Sequence, residues 1–416
     1  MTNQLETPPN SQKILGKKGL IAFIALMNMF IPLSTDMYLP ALPTMNTYFN
    51  SSTSVTNLTL SGFFLFYAVG ILFWGPLSDK FGRRSVLLIG SLIYMVASVL
   101  SAMSTSIYFL IATRIFQAIG AGGITSVSMA IIKDCYEGKM RESILAISQS
   151  IGGLAPMIAP VIGGFVLQFS TWRGIFWTLA AISVINLVFA ILFQDTLKEE
   201  ERFRGSIFGS IRRLFVVAKN KSFILPALIF SLSALPFMGY LAVSSYIYQD
   251  FFGLSAQTYS YYFAANALLS ILGPFVYIKF FSNANKNVFA SFVMIVSVIS
   301  GILMITIGGI LPILFWASFA LMSLAGSVMR PFSSNLLLDQ QEGDAGSTSS
   351  LINTLFTVLG SIGMSIASIH WSNIVIGLGL MIAVFSAISL FGWIAFMKSA
   401  IPCKGLKESP QCNSEQ

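Results

Sequence analysis

The chain has 416 residues, of which 55% are hydrophobic and only 10% charged, whereas soluble domains carry about 25% charged residues. That balance excludes an ordinary soluble fold: a hydrocarbon core needs about 20 apolar residues per helix, and such stretches recur from Leu20 to Met397. The net charge of +8 sits in short segments between apolar runs, which marks topology and not a nucleic-acid surface.

In chain order, the first apolar run, Leu20–Leu42, follows Lys13, Lys17 and Lys18. It is too long for a signal-peptide core and no small-residue cleavage pattern follows, so it reads as a retained first helix. Val55–Leu77, Ser85–Ala102, Ile107–Ile132, Ser143–Phe169 and Gly174–Phe193 complete a first group of spans. A polar stretch follows, and then come Phe223–Gln249, Thr258–Phe281, Val288–Thr306, Pro312–Leu338, Ser347–His370 and Ile374–Met397. The expected fold is therefore an all-α membrane protein of 12 transmembrane helices in two six-helix bundles. The expected organisation is a tail at 1–19, a bundle at 20–193, a basic linker at 194–222, a second bundle at 223–397 and a tail at 398–416.

Lys and Arg set the orientation, because basic loops are held on the cytoplasmic side. With both termini inside, every one of the 24 basic residues except Arg114, Arg173 and Arg330 falls in an inner segment. The short inner segment around Asp339, Glu342 and Asp344 has no basic residue, but acidic residues contribute little to the rule. The linker holds Lys198, Arg202, Arg204, Arg212, Arg213, Lys219 and Lys221; it reads as a solvated connector or as a segment that contacts anionic lipid. Faint internal similarity, such as Gly75-Pro76 against Gly273-Pro274, fits the duplicated halves common in transporters.

Ionisable groups inside a bilayer are expensive and mark candidate sites. Asp36 and Arg114 each lie about seven residues inside the outer end of their spans, a depth of about 10 Å at 1.5 Å per residue. They can serve as a proton switch or as a permanent pair holding two helices together. Asn28, Pro32 and Asp36 recur every four residues on one face, and Arg114, Gln117, Thr125 and Ser128 make a looser stripe, so Asn28 and Gln117 are cavity candidates. Seven aromatic or polar residues, Tyr240, Tyr246, Tyr248, Tyr259, Tyr261, Tyr262 and Asn266, mark the next two spans. They read as cleft lining for amphiphilic molecules or as an interfacial belt; Tyr240 and Asn266, nearer the interior, are the better cavity candidates.

The fifth span concentrates Pro156, Pro160, Gly163 and Gly164, a pattern that bends a helix and lets neighbours approach closely. No phosphate-binding G-x-x-x-x-G-K-[ST] loop is present, and the single histidine, His370, and the scattered Cys135, Cys403 and Cys412 make no metal or redox spacing. No nucleophile and base arrangement stands in a soluble setting, so an enzyme, a cofactor and a metal site are not expected.

Gly75-Pro76-Leu77-Ser78-Asp79-Lys80-Phe81-Gly82-Arg83-Arg84 resembles the inner-loop motif G-x-L-[AS]-D-[RK]-x-G-R-[RK] of the major facilitator superfamily. Arg114-Ile115-Phe116-Gln117-Ala118-Ile119-Gly120 resembles its fourth-helix motif, and Ala155–Gly164 its antiporter helix motif, with Ala159 where the general motif has Gly. Thr35–Pro43, Gly253-Leu254-Ser255 and Arg330–Asn335 resemble the Bcr/CflA-like drug-exporter branch. The resemblance implies a proton-coupled antiporter of the bacterial inner membrane, monomeric, that expels small amphiphilic molecules such as chloramphenicol-like or bicyclomycin-like antibiotics by alternating access. It further implies proton coupling at Asp36 and Arg114, a conformational gate at Gly75, Asp79, Gly82, Arg83 and Arg84, and an antiporter motif at Pro156, Pro160, Gly163 and Gly164. Two other readings stand beside it: a carrier of a native metabolite such as a siderophore, and a non-transporting membrane scaffold.

Overall fold

A computed structural model of the chain describes residues 12, 14–197, 200, 202, 216–341 and 345–406. Most of the expected linker, including Lys198, Arg204, Arg212 and Arg213, and the outer parts of both tails lie outside the described residues. Among the described residues, 12 helical stretches are long and apolar enough to cross a membrane.

The first span is not one continuous helix as expected. α1 covers Gly16–Asp36, a 3-10 turn covers Leu39–Ala41, and α2 covers Leu42–Phe49. Pro40 and Pro43 supply no N–H, so the α-helical ladder cannot run through them, and Asp36 becomes the last residue of α1. Then follow α3 (Thr53–Phe81), α4 (Arg83–Ala102), α5 (Ile107–Cys135), α6 (Gly138–Phe169) and α7 (Trp172–Leu192). Gly82 separates α3 from α4 at φ 92°, a left-handed conformation that glycine adopts without strain.

The seventh span is interrupted too. α8 (Lys221–Ser231) and α9 (Ala234–Tyr246) meet at Leu232-Ser233, because Pro236 has no N–H to offer the Leu232 carbonyl. A π turn, Ile247–Phe251, leads to α10 (Ala256–Val276), and a second, Tyr277–Phe281, to α11 (Lys286–Thr306). α12 (Pro312–Leu338), α13 (Ala345–Ala367) and α14 (Ile374–Lys398) complete the chain. Asn220, Ser255, Asn285 and Asn373 cap α8, α10, α11 and α14 by accepting from backbone N–H groups of the first turn, which satisfies donors that have no helical partner.

The chain forms two compact units, Met1–Ser51 with Gly62–Ile207, and Ser52–Ser61 with Phe208–Gln416. The first turns of α3 thus belong to the second unit: Asn57 Nδ2 donates to the Ala242 carbonyl at 3.0 Å and to Ser368 Oγ at 2.7 Å. Each unit buries its own apolar cluster, one around Phe23, Met27, Phe30, Phe63 and Tyr94, the other around Phe230, Phe289, Phe332 and Trp393. Helix pairing repeats from unit to unit. α4 packs on α5 and α7, and α1 on α6, in the first; α11 packs on α12 and α14, and α9 on α13, in the second. This common pairing supports the duplication that sequence similarity marks only faintly.

Candidate functional site

In the first unit, α5 carries Arg114 into the core, where it is fully buried. Its Nη1 donates to Gln117 Oε1 at 2.5 Å. Its Cζ stands 4.2 Å from the Phe63 ring centroid, 4.6 Å from Tyr38 and 5.8 Å from Phe176. Three ring faces around one guanidinium give the cation a favourable field without neutralising it. Gln117, fully buried, donates onward to Ser98 Oγ at 2.8 Å, so its amide is engaged in positioning Arg114 within the packing. Sequence reasoning missed the cage residues; Tyr38, two positions after Asp36, carried the only signal.

Asp36, at the end of α1, is 6% exposed and accepts from Thr35 Oγ1 at 2.9 Å. It takes part in no ion pair among the described residues. Asp36 and Arg114 therefore do not form the permanent bridge allowed by their equal depth. Asp36 stands two positions before Tyr38, whose ring covers the guanidinium. On the same face of α1, Asn28 Nδ2 donates to Ser128 Oγ of α5 at 3.0 Å, tying the two helices that carry the charged groups.

The prolines and glycines of α6 serve this arrangement. Pro156 and Pro160 lie inside the helix, and Gly163 and Gly164 are buried. A Cβ built on Gly163 would overlap the Met37 carbonyl oxygen, so only glycine lets α6 rest on the chain directly after Asp36. Gly163→Ala is expected to cost about 1–3 kcal/mol through overpacking, read as a lowered unfolding midpoint of the purified protein. Gly75→Ala, whose Cβ meets nothing within 4 Å, is the control that does not lower this midpoint.

The loop-motif residues form a second cluster of the same unit. Arg83 Nη1 bonds Asp79 Oδ1 and donates to Ser78 Oγ at 2.8 Å, while its Nε donates to Asp134 Oδ2 at 2.9 Å. Its backbone N–H donates to Asp195 Oδ1 at 3.0 Å, and Arg84 donates to the Ile191 carbonyl at 2.7 Å. Asp134 also accepts from Thr196 Oγ1 at 3.1 Å. The motif thus closes around Asp134, Asp195 and Thr196, which lie just beyond other spans and which sequence reasoning did not assign.

In the second unit, Tyr240 is buried and stacked on Phe319, with centroids 3.6 Å apart and planes 9° from parallel. Tyr248 stacks on Tyr262 at 4.9 Å, and Tyr259 shares a hydrogen bond with Ser244 at 3.1 Å. Tyr240, Tyr248 and Tyr259 belong to the interior, while Tyr261 is 58% exposed, so the aromatic group divides between core and surface. Asn266 is 7% exposed, and its Oδ1 has no hydrogen-bond partner among the described residues.

Comparison with known proteins places these features in a family. The Major Facilitator Superfamily profile matches residues 24–364. The "Uncharacterized MFS-type transporter YdgK" of Bacillus subtilis is 30% identical over 92% of this chain and 96% of its own. The "Bicyclomycin resistance protein homolog" of Haemophilus influenzae is 24% identical over 84% and 88%. The multidrug resistance protein MdtL of Shewanella oneidensis is 30% identical over 62% of this chain and 64% of its own. Among solved structures, a D-xylose-proton symporter superposes with a TM-score of 0.69 at 15% identity, over 93% of this chain and 98% of that one. A bacterial homologue of the human lysosomal transporter Spinster superposes at 0.70 and 16%, over 91% and 96%; both show the fold. The Arg83 cluster at the junction of α3 and α4 is where the family's loop motif resides, and the chain belongs to the Major Facilitator Superfamily as a multi-pass inner-membrane transporter.

Proposed function

We propose that this transporter is a proton-coupled antiporter of the Bcr/CflA-like branch that exports small amphiphilic molecules or antibiotics. In this reading both termini are cytoplasmic, each six-helix bundle is one domain, and the bundles alternate access to a central substrate site.

The observation that carries the reading is Asp36: a buried carboxylate with no ion pair among the described residues, next to the aromatic cage of Arg114. A structural bridge would tie such a group to a fixed counter-ion. A proton carrier must instead exist in both protonation states at similar cost, and a buried carboxyl held by a single hydroxyl donor, with no fixed counter-ion among the described residues, meets that need. Support for export and for amphiphilic cargo comes from relatives named for bicyclomycin and multidrug resistance.

Everted membrane vesicles loaded with the protein test it. Imposing an inside-acid gradient is expected to drive accumulation of a fluorescent amphiphile, and substrate addition is expected to discharge the gradient. Accumulation that is indifferent to the gradient, or that follows the opposite gradient, refutes the antiport reading.

A further inference from the structure

The second unit contains a cavity of about 150 Å³ whose polar lining is Ser233, Ser270, Ser323, Ser327 and Arg330, with Phe356 beside the guanidinium. Apolar side chains and backbone complete it, and among the described residues no carboxylate lines it. At about 30 Å³ per water, the volume holds a small polar group and a few waters. It is smaller than the roughly 300–1,000 Å³ of a pocket that encloses a whole drug-sized molecule. It suits one functional group of a ligand.

Arg330 lies eight residues before the end of α12, about 12 Å along the helix at 1.5 Å per residue. Its side chain is exposed, and a charge at such depth in a span is tolerated where it faces a water-filled cavity. Its Cζ stands 5.4 Å from the Phe356 ring centroid. A ring occupies one face of a guanidinium and leaves the N–H fork at the edge available. Among the described residues that fork has neither an ion pair nor a side-chain hydrogen bond. The protein supplies the cation and leaves its counter-ion to come from elsewhere.

Further serines line the same space. Ser233 stands at the interruption between α8 and α9 and lines the cavity. Asn266, Ser270 and Pro274 recur every four residues along one face of α10, and Ser270 and Pro274 line the cavity. Ser270 and Ser323 share a hydrogen bond at 2.7 Å, and rotation of the Ser323 hydroxyl turns its proton toward the cavity.

We propose that this cavity is a subsite for a carboxylate carried by the transported molecule, gripped by the Arg330 fork and the Ser323 hydroxyl. The class of cargo is then an amphiphilic carboxylate. The proposal rests on the transport reading above and deepens it.

Equilibrium binding to the purified full chain in neutral detergent tests it, with 1-naphthoate, 1-naphthamide and 1-naphthylmethylammonium as probes of one shape and three charges. The naphthoate is expected to bind about tenfold or more tightly than the other two, because charge-assisted bidentate hydrogen bonds are the strong ones. Arg330→Gln is expected to remove this preference. Arg330→Lys keeps the charge without the planar fork and should retain part of the preference, and Ser323→Ala should reduce it less than Arg330→Gln does. Absence of naphthoate binding, equal binding of the three probes by the unaltered protein, or a preference that survives Arg330→Gln overturns the proposal. Binding is read without a proton gradient. A missing preference with intact Asp36-dependent transport therefore overturns the subsite alone, and an intact preference without gradient-driven transport overturns the antiport reading alone.

Discussion

Asp36→Asn is expected to abolish gradient-driven transport while substrate counterflow, which needs no net proton movement, continues. The substitution preserves size and hydrogen-bonding capacity, so the Thr35 contact at 2.9 Å can persist, but an amide does not exchange a proton. No ion pair of Asp36 is broken, since none is found among the described residues; the change therefore leaves no buried cation stranded, which is the usual route to severe destabilisation. Expression and unfolding midpoint should stay near those of the unaltered protein. A variant that still couples efflux to an imposed gradient would remove Asp36 from the coupling role and, with it, the main support for antiport.

Arg83 provides the second large effect, and its two carboxylates are not equal. The Arg83 side chain is 7% exposed and that of Asp134 15%, against 53% for Asp79. Removing a buried partner leaves an uncompensated charge and costs about 3–5 kcal/mol, at the lower end here because Asp79 remains. An exposed pair contributes about 1 kcal/mol or less. Asp134→Asn should thus lower the unfolding free energy by about 3 kcal/mol and Asp79→Asn by about 1 kcal/mol. Combining Asp134→Asn with Arg83→Gln should cost less than the sum of the two, since residues in one network are coupled. Thermal unfolding of the four variants in one detergent gives the comparison, and an equal loss from Asp79→Asn and Asp134→Asn would contradict the assignment of Asp134 as the principal anchor.

The loop motif shows how far sequence reasoning reaches. Gly75, Asp79, Gly82, Arg83 and Arg84 were legible as a local pattern, because their spacing is set within one helix-turn-helix junction. Their partners were not, because Asp134 and Asp195 come from the ends of α5 and α7, and only packing brings those ends to Arg83. Likewise Asp36 and Arg114 stood out as intramembrane charges. Depth alone suggested a bridge, and the structure instead turns Arg114 onto Phe63, Tyr38 and Phe176. The span of Leu20–Leu42 was placed correctly as apolar, but its internal breaks at Pro40 and Pro43 were not anticipated. Hydropathy averages over a window and is blind to a missing N–H.

By itself, then, the sequence determined the membrane class, the span count and the two residues too costly to be idle in lipid, Asp36 and Arg114. These follow from composition and from the price of burying charge, which are properties of each segment separately. Tertiary structure alone decided what those charges face, a hydroxyl for Asp36 and aromatic rings and an amide for Arg114, and that Arg330 borders a cavity lined by serines and, among the described residues, by no carboxylate. The reason is physical: the environment of a buried group is built by side chains from other helices, and no periodicity along one helix records which neighbours will arrive.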